Sequence, residues 1–314
     1  MTTWLPTAPL EHLQARAATM ASVRAFFAAR DVLEVETPLL SSAMNSDPNI
    51  ASVTAQQMGR TYYLNTSPEF PMKRLLAAGY GAIYQFAKVF RAGEAGRRHN
   101  PEFTMLEWYR PGYDDVAMRA EVHALLVTLI PGLPRLDFTY EAAFKRFAGF
   151  DPHRIPLVDL QAQTHSRFEW SSAVRNEMLD CWLAQVVEPA LPQDHLTFIT
   201  DWPADMAALA QVTENADGWP VARRFEAFYR GMEMANGYYE LRDADAQRAR
   251  FEADLVRRTE QNLPVGPLDE HLDAALKAGL PECAGVAMGF DRLMMVLLGE
   301  NDISRVISFP MNRA

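Results

Sequence analysis

Between residues 82 and 110 the chain alternates its side chains so regularly that it can form little other than two long strands joined by a polar loop. Alternation across the second strand puts Phe103, Met105, Glu107 and Tyr109 on one face, and Thr104, Leu106 and Trp108 on the other. The second face suits a core. The first carries an aromatic ring, a carboxylate and a phenol. A carboxylate buried on a central strand is costly unless a cation answers it. Either a ligand ammonium or an internal salt bridge from Glu107 to Arg91 or Lys88 would do so, and spacing leaves both open. The connecting loop, 92–101, holds Arg97, Arg98 and His99, with Arg91 at its edge. The chain carries a net charge of -10, so this is a local reversal of sign. It reads as an anion site built on planar guanidinium donors, or as an exposed basic loop.

Elsewhere the periodicity predicts helices over 10–29, 69–78, 114–130 and 244–261. Short strands are expected at 32–36, 62–65 and 196–201, a hairpin over 221–241, and a strand–helix unit over 283–298. The stretch 135–195 shows weak periodicity with helices such as 177–190, and reads as an insertion. Strands scattered between helices, joined by hairpins and not by βαβ repeats, predict an α+β domain with a mainly antiparallel sheet flanked by helices. With 314 residues, 49% of them hydrophobic, the whole of 1–314 can form one domain around a sizeable core. The two cysteines, Cys181 and Cys283, form no paired motif, so neither a disulfide framework nor a zinc site is expected. The opening residues lack a basic and apolar leader. No apolar run reaches the ~18 residues of a membrane span, and the expected compartment is the cytoplasm.

In the hairpin, Arg230-Gly231 is a two-residue turn with glycine supplying positive φ. A regular register then opposes Tyr229 to Met232, Phe228 to Glu233 and Glu226 to Ala235. Glu226 and Glu233 become diagonal neighbours on one face. Such a pair either holds a hard divalent ion or consists of two exposed acids. Asn236, Tyr238 and Glu240 share a strand parity. Further on, a small-residue strand from Cys283 runs into an apolar helix, with Gly299 placed to end it. Arg292 falls in the first helical turn, where a cation is disfavoured by the macrodipole, a hint of a ligand-facing role.

These pieces resemble the class II aminoacyl-tRNA synthetases in their lysyl form. The run R-x-x-E-x-x-R-R-H-N-P-E-F-T-M-L-E-W-Y from Arg91 is similar to motif 2, E-x-x-N-G-Y-x-E from Glu233 to the lysyl signature, and G-F-D-R-L from Gly289 to motif 3. The helix followed by Val35-Glu36-Thr37-Pro38 is similar to motif 1, which forms the family's dimer interface and so implies a homodimer. The resemblance spans 20–312 in family order.

The resemblance implies ATP and Mg2+. Arg91 would hold the α-phosphate and the amino-acid carboxylate, as the catalytic residue. Arg98 and His99 would hold the outer phosphates. Phe103 and Arg292 would sandwich the adenine. Glu226 and Glu233 would bind the metal. Ser67, Glu69, Glu107, Tyr109, Asn236, Tyr238, Glu240 and Ala287 would line the amino-acid pocket. Gly93 departs from the family, which carries glutamate there; Glu94 stands one place later. Ala287 and Ser67 also depart from the glycine and alanine usual in lysyl enzymes.

The phrase HNPEFTMLEWYR and the ending FPMNRA are closer to the stand-alone branch that attaches (R)-β-lysine to elongation factor P. That branch implies no anticodon-binding OB domain, no stable tRNA binding and no membrane. Two alternatives stay open: a lysyl-tRNA synthetase-like enzyme activating α-lysine, and a non-catalytic ligand-binding paralogue.

Overall fold

A computed structural model describes residues 4–314; residues 1–3, part of the opening stretch read above, lie outside it. The strands are β1 (Leu33–Glu34), β2 (Leu40–Ser41), β3 (Thr54–Gln57), β4 (Arg60–Leu64), β5 (Ile83–Phe90), β6 (Glu102–Pro111), β7 (Arg135–Thr139), β8 (Leu196–Pro203), β9 (Val212–Glu214), β10 (Pro220–Tyr229), β11 (Met232–Tyr239) and β12 (Cys283–Gly289). The main helices are α1 (Leu10–Ala28), α2 (Glu69–Ala77) and α3 (Asp115–Leu129), then α4 (Tyr140–Ala143), α5 (Leu157–Phe168), α6 (Arg175–Trp182) and α7 (Glu188–Ala190), and finally α8 (Ala244–Glu260), α9 (Glu270–Gly279) and α10 (Phe290–Leu298).

Nine strands form the central sheet, in the order β1-β5-β6-β12-β11-β10-β8-β7, with β9 beside β10. Only β1–β5 and β7–β8 pair in parallel; the rest is antiparallel, as the scattered strands predict. A three-stranded sheet, β2-β4-β3, stands apart.

Each face of the sheet has its own cover. Leu106, Trp108, Phe225, Ala227 and Met288 pack under α1, α3 and α10 into the largest core. Phe27 of α1 stacks on Tyr84 with ring centroids 4.4 Å apart and meets Trp108 edge-on, which seats the first helix. On the opposite face, Ile83, Tyr109 and Cys283 pack under α2, α8 and α9 at one end. At the other end Ile199, Ala222 and Phe228 pack under residues 140–191. The segment 135–195 thus starts with a sheet strand, β7, and continues as the helical cover of this second end. Between the two covers the sheet face is open.

Local signals place the helix ends. Asp114, Asp243 and Asp269 accept from backbone N–H groups in the first turns of α3, α8 and α9. Gly299 ends α10 at φ 68, as the sequence predicts. Among the described residues no helix is long and apolar enough to cross a membrane.

Candidate active site

The open stretch of sheet floors a cavity of about 780 Å³. Strand register explains which side chains reach it. One lateral row runs Gln85–Glu107–Ala287–Asn236–Glu226 across β5, β6, β12, β11 and β10, and its three middle members line the cavity. The next row runs Ile83–Tyr109–Gly285–Tyr238–Arg224, and all but Ile83 line the cavity. Phe103, Met105, Glu107 and Tyr109 all line the cavity, as their shared parity predicts.

The hairpin departs from the expected register. Tyr229 opposes Met232 and Phe228 opposes Glu233, with Arg230 and Gly231 both at positive φ in the turn. The register then shifts, so that Ala227 opposes Ala235 and Glu226 opposes Asn236, not Ala235. Met234 is the extra residue of a β-bulge and is buried in the main core. A regular strand would send Glu233 to one face and Asn236, Tyr238 and Glu240 to the other. The bulge cancels that parity, and all four line the same cavity.

The amino-acid end of the cavity is acidic. Glu107 is 1% exposed and has no cationic partner. It accepts from Tyr109 Oη at 2.6 Å and Ser67 Oγ at 2.7 Å. Neither internal salt bridge considered from the sequence forms: Lys88 lies 3.6 Å from Glu102, and Arg91 lies 3.8 Å from Glu94. Burial, then the charge of Glu69, pushes Glu107 up to about 8. The buried residue Lys73, which sequence reasoning missed, sits 2.6 Å from Glu69 and 2.7 Å from Glu240. Its one sequence signal is the i, i+4 spacing from Glu69 on α2.

Gly285 is required at the centre of this end. A Cβ there would lie 2.3 Å from the Tyr109 ring and 2.5 Å from Glu240 Oε1. Asn236 Oδ1 is buried without a hydrogen-bond partner and lines the same cavity.

The opposite end is cationic. The Arg91 guanidinium stands 5.3 Å from the Phe103 ring and donates to the Thr66 carbonyl at 3.3 Å. Arg98 donates to the Gly231 carbonyl at 2.7 Å, which ties the 92–101 loop to the hairpin turn. Arg292 donates to Glu233 Oε2 at 3.1 Å and to His99 Nε2 at 2.6 Å. Burial and the Arg292 charge lower the His99 pKa, so its ring accepts as the neutral form. A second group missed from the sequence is Asp291, beside Arg292 in the G-F-D-R-L run. It is 1% exposed and accepts from Thr104 N at 2.7 Å and Arg16 at 2.5 Å, tying α10 to β6 and α1.

Glu233 lines the cavity, whereas Glu226 does not and is buried with Arg224 2.5 Å away, so the reading of two exposed acids does not hold. Burial raises Glu226 to about 8; Arg224 opposes that rise, and Glu233 and Glu188 add to it. Glu188 comes from α7, where no site residue was expected. Among the described residues no group of three or more acids, histidines or cysteines converges as a complete metal site. The charge of Glu233 nevertheless acts on Glu226, and two such carboxylates would suit a Mg2+ ion whose remaining ligands are phosphate oxygens. Both cysteines are free thiols.

The family described as "tRNA synthetases class II (D, K and N)" matches residues 7–313. The chain is 43% identical to proteins named elongation factor P–(R)-β-lysine ligase from Klebsiella pneumoniae, Mannheimia succiniciproducens and Pseudoalteromonas translucida. In each case 99% of this chain and 98% of the relative are covered.

Proposed function

The chain belongs to the class II tRNA synthetases of the aspartate, lysine and asparagine group, and from that premise we propose that it activates (R)-β-lysine with ATP and passes the β-lysyl group to the ε-amino group of a lysine on elongation factor P. It is a ligase that forms an amide through an aminoacyl-adenylate, in the cytoplasm. The observation that carries the reading is Glu107, a buried carboxylate without a cation, in one cavity with Arg91, Phe103 and Arg292.

The residues divide the work by charge. Glu69, Glu107 and Glu240 take the ammonium groups of the amino acid, with Ser67, Tyr109, Asn236, Tyr238 and Ala287 shaping the pocket around its chain. Arg91 orients the substrate carboxylate toward the α-phosphorus of ATP and stabilises the charge that develops there as pyrophosphate leaves. Arg98 and His99 hold the outer phosphates, and Phe103 and Arg292 clasp the adenine. Mg2+ bound at Glu226 and Glu233 would neutralise phosphate charge. Glu94, 3.8 Å from Arg91, orients that guanidinium; Gly93 sits at φ 81, where a glutamate would be strained. In the second half the neutral acceptor amine attacks the adenylate carbonyl, AMP leaves, and an amide results.

The test supplies labelled β-lysine or lysine with ATP to elongation factor P and to tRNA in parallel. Label on the protein that survives mild base, as an amide does, is the expected result. Base-labile label on tRNA alone overturns the reading. The net charge of -10 gives tRNA no general attraction.

Three further outcomes are expected. Ala287 stands beside Glu107 and Asn236 in the pocket row. Ala287→Gly adds about one heavy atom of space there, the scale at which pockets discriminate by ~1–3 kcal/mol, so the activation ratio should move toward α-lysine. An unchanged ratio removes the argument. Below pH 8 the empty pocket holds Glu107 protonated, and a neutral acid attracts an ammonium weakly. The KM for the amino acid in ATP–pyrophosphate exchange should therefore fall as pH rises from 6 to 8, by up to about tenfold per pH unit. A flat KM contradicts this. Finally, Leu33, Leu39 and Leu40 expose their side chains on and beside the motif 1 segment. A homodimer covers such surface, and light scattering should show about twice the 35.4 kDa chain mass.

A further inference from the structure

A buried cation stands behind two of the acids that line the amino-acid pocket. Lys73 is 2% exposed, and its ammonium lies 2.6 Å from Glu69 Oε1 and 2.7 Å from Glu240 Oε2. Glu240 is 1% exposed, and its Oε1 has no hydrogen-bond partner. Glu107, equally buried, has hydroxyl donors only. With all three ionised, these carboxylates and the one lysine leave two negative charges unanswered; in the empty pocket below pH 8 Glu107 holds a proton and removes one of them. A buried net charge of that size is costly until a ligand cancels it. The ligand that cancels it has two ammonium groups.

We propose that Lys73 is a built-in counter-cation that sets this pocket to receive two ammonium groups, and a positioning residue that holds Glu69 and Glu240 side by side against their mutual repulsion. The proposal rests on the amino-acid pocket assigned above and names what fixes its charge. Lys73 touches no substrate atom on this reading; it acts through the two acids. Without it, Glu69 and Glu240 face one another uncompensated and one of them takes up a proton. The pocket then offers one charged acid fewer at neutral pH. Beside Lys73 stand Glu69 on its own helix, Glu240 just past β11 and Cys283 on β12, and the two acids in turn face Glu107 and Tyr109 on β6 and Tyr238 on β11. Among the described residues Lys73 is the one cation that contacts both Glu69 and Glu240.

The experiment compares wild type, Lys73→Met, Lys73→Arg and Lys73→Met/Glu240→Gln in ATP–pyrophosphate exchange with (R)-β-lysine, from pH 6 to pH 9. An opposite charge at such distance moves a carboxyl by about one to three pH units. The acid limb of kcat/KM should accordingly move up by at least about one pH unit in Lys73→Met. It should stay near the wild-type position in Lys73→Arg. In the double variant, which restores the count of two negative charges, it should fall back toward wild type even though kcat/KM itself stays low. A Lys73→Met limb at the wild-type position, with only a lower melting temperature, overturns the proposal and leaves Lys73 a structural ion pair. A limb that stays displaced in the double variant overturns it as well. If Lys73→Met does not fold, Lys73→Gln, which also removes the charge but keeps a polar side chain, takes its place under the same criterion.

Thermal melting gives a readout that needs no substrate. Burial already raises Glu240 above its unfolded value, and removing Lys73 raises it further. The folded state then keeps a proton that the unfolded chain releases, so stability falls as pH rises from the unfolded carboxylate range toward the folded pKa. Lys73→Met should lose melting temperature between pH 5 and 8 more steeply than wild type, and the double variant should not. A wild-type protein that exchanges with no lysine isomer overturns the functional reading, while the melting series still decides the role of Lys73.

Discussion

Glu233→Gln is expected to lower ATP–pyrophosphate exchange by about 10²–10³-fold while the fold persists. The side chain is 38% exposed, at the mouth of the cavity, and glutamine preserves its volume, so little stability depends on it. The loss comes from charge. Glu233 is one half of the acid pair assigned to Mg2+, and removing a metal ligand costs several kcal/mol of charge stabilisation. At 1.4 kcal/mol per tenfold, three or four kcal/mol gives the stated range. Glu233 also accepts from Arg292 at 3.1 Å, so a freed arginine could account for part of the loss. The metal dependence separates the two: loss of a ligand raises the Mg2+ concentration for half-maximal exchange, and loss of an arginine partner leaves it unchanged. Near-normal exchange in this variant would refute the metal assignment.

Gly285→Ala should disable amino-acid binding with a single methyl. The added Cβ lands 2.3 Å from the Tyr109 ring and 2.5 Å from Glu240 Oε1, and neither can retreat easily. Tyr109 is 2% exposed and tied to Glu107 at 2.6 Å, and Glu240 is held at Lys73. The strand cannot move either, since β12 is paired on both sides, to β6 and β11. Overpacking of this kind costs about 1–3 kcal/mol of stability. Binding suffers more, because the same methyl pushes on Glu240 directly and on Glu107 through its bond from Tyr109, and both read the amino acid. The KM for the amino acid should rise more than about 10²-fold, on the scale of interactions lost from a buried charged site. Gly289→Ala on the same strand is the control for folding: its nearest contact would be 3.6 Å away, and its melting should stay close to wild type. A folded Gly285→Ala protein with an unaltered KM would show that the pocket lies elsewhere.

Much of this was legible before any coordinate. The alternation of 102–110 placed Phe103, Glu107 and Tyr109 together, and all three line the cavity. The helices at 10–28 and 69–77, the turn at Arg230-Gly231 and the stop at Gly299 follow from rules that act within a few residues. The strand at 32–36 was predicted too long. Only Leu33–Glu34 pair, because their partner is the end of β5 and not an adjacent hairpin arm.

What the sequence by itself determined, then, is the set of elements and the chemistry each carries: an alternating strand, an arginine loop, a tight turn and the acids placed around it. Local spacing sets those. The tertiary structure alone decided how they combine. A single bulge at Met234 puts Glu233 on the same face as Asn236, Tyr238 and Glu240, against the parity of a regular strand. The charge of Glu107 is answered by no internal cation, whereas Glu69 and Glu240 share Lys73. Gly285 is needed because Tyr109 and Glu240 arrive at it from two other strands. In each case the deciding partners are far apart in the chain, and strand register, which brings them together, is fixed by packing across the sheet.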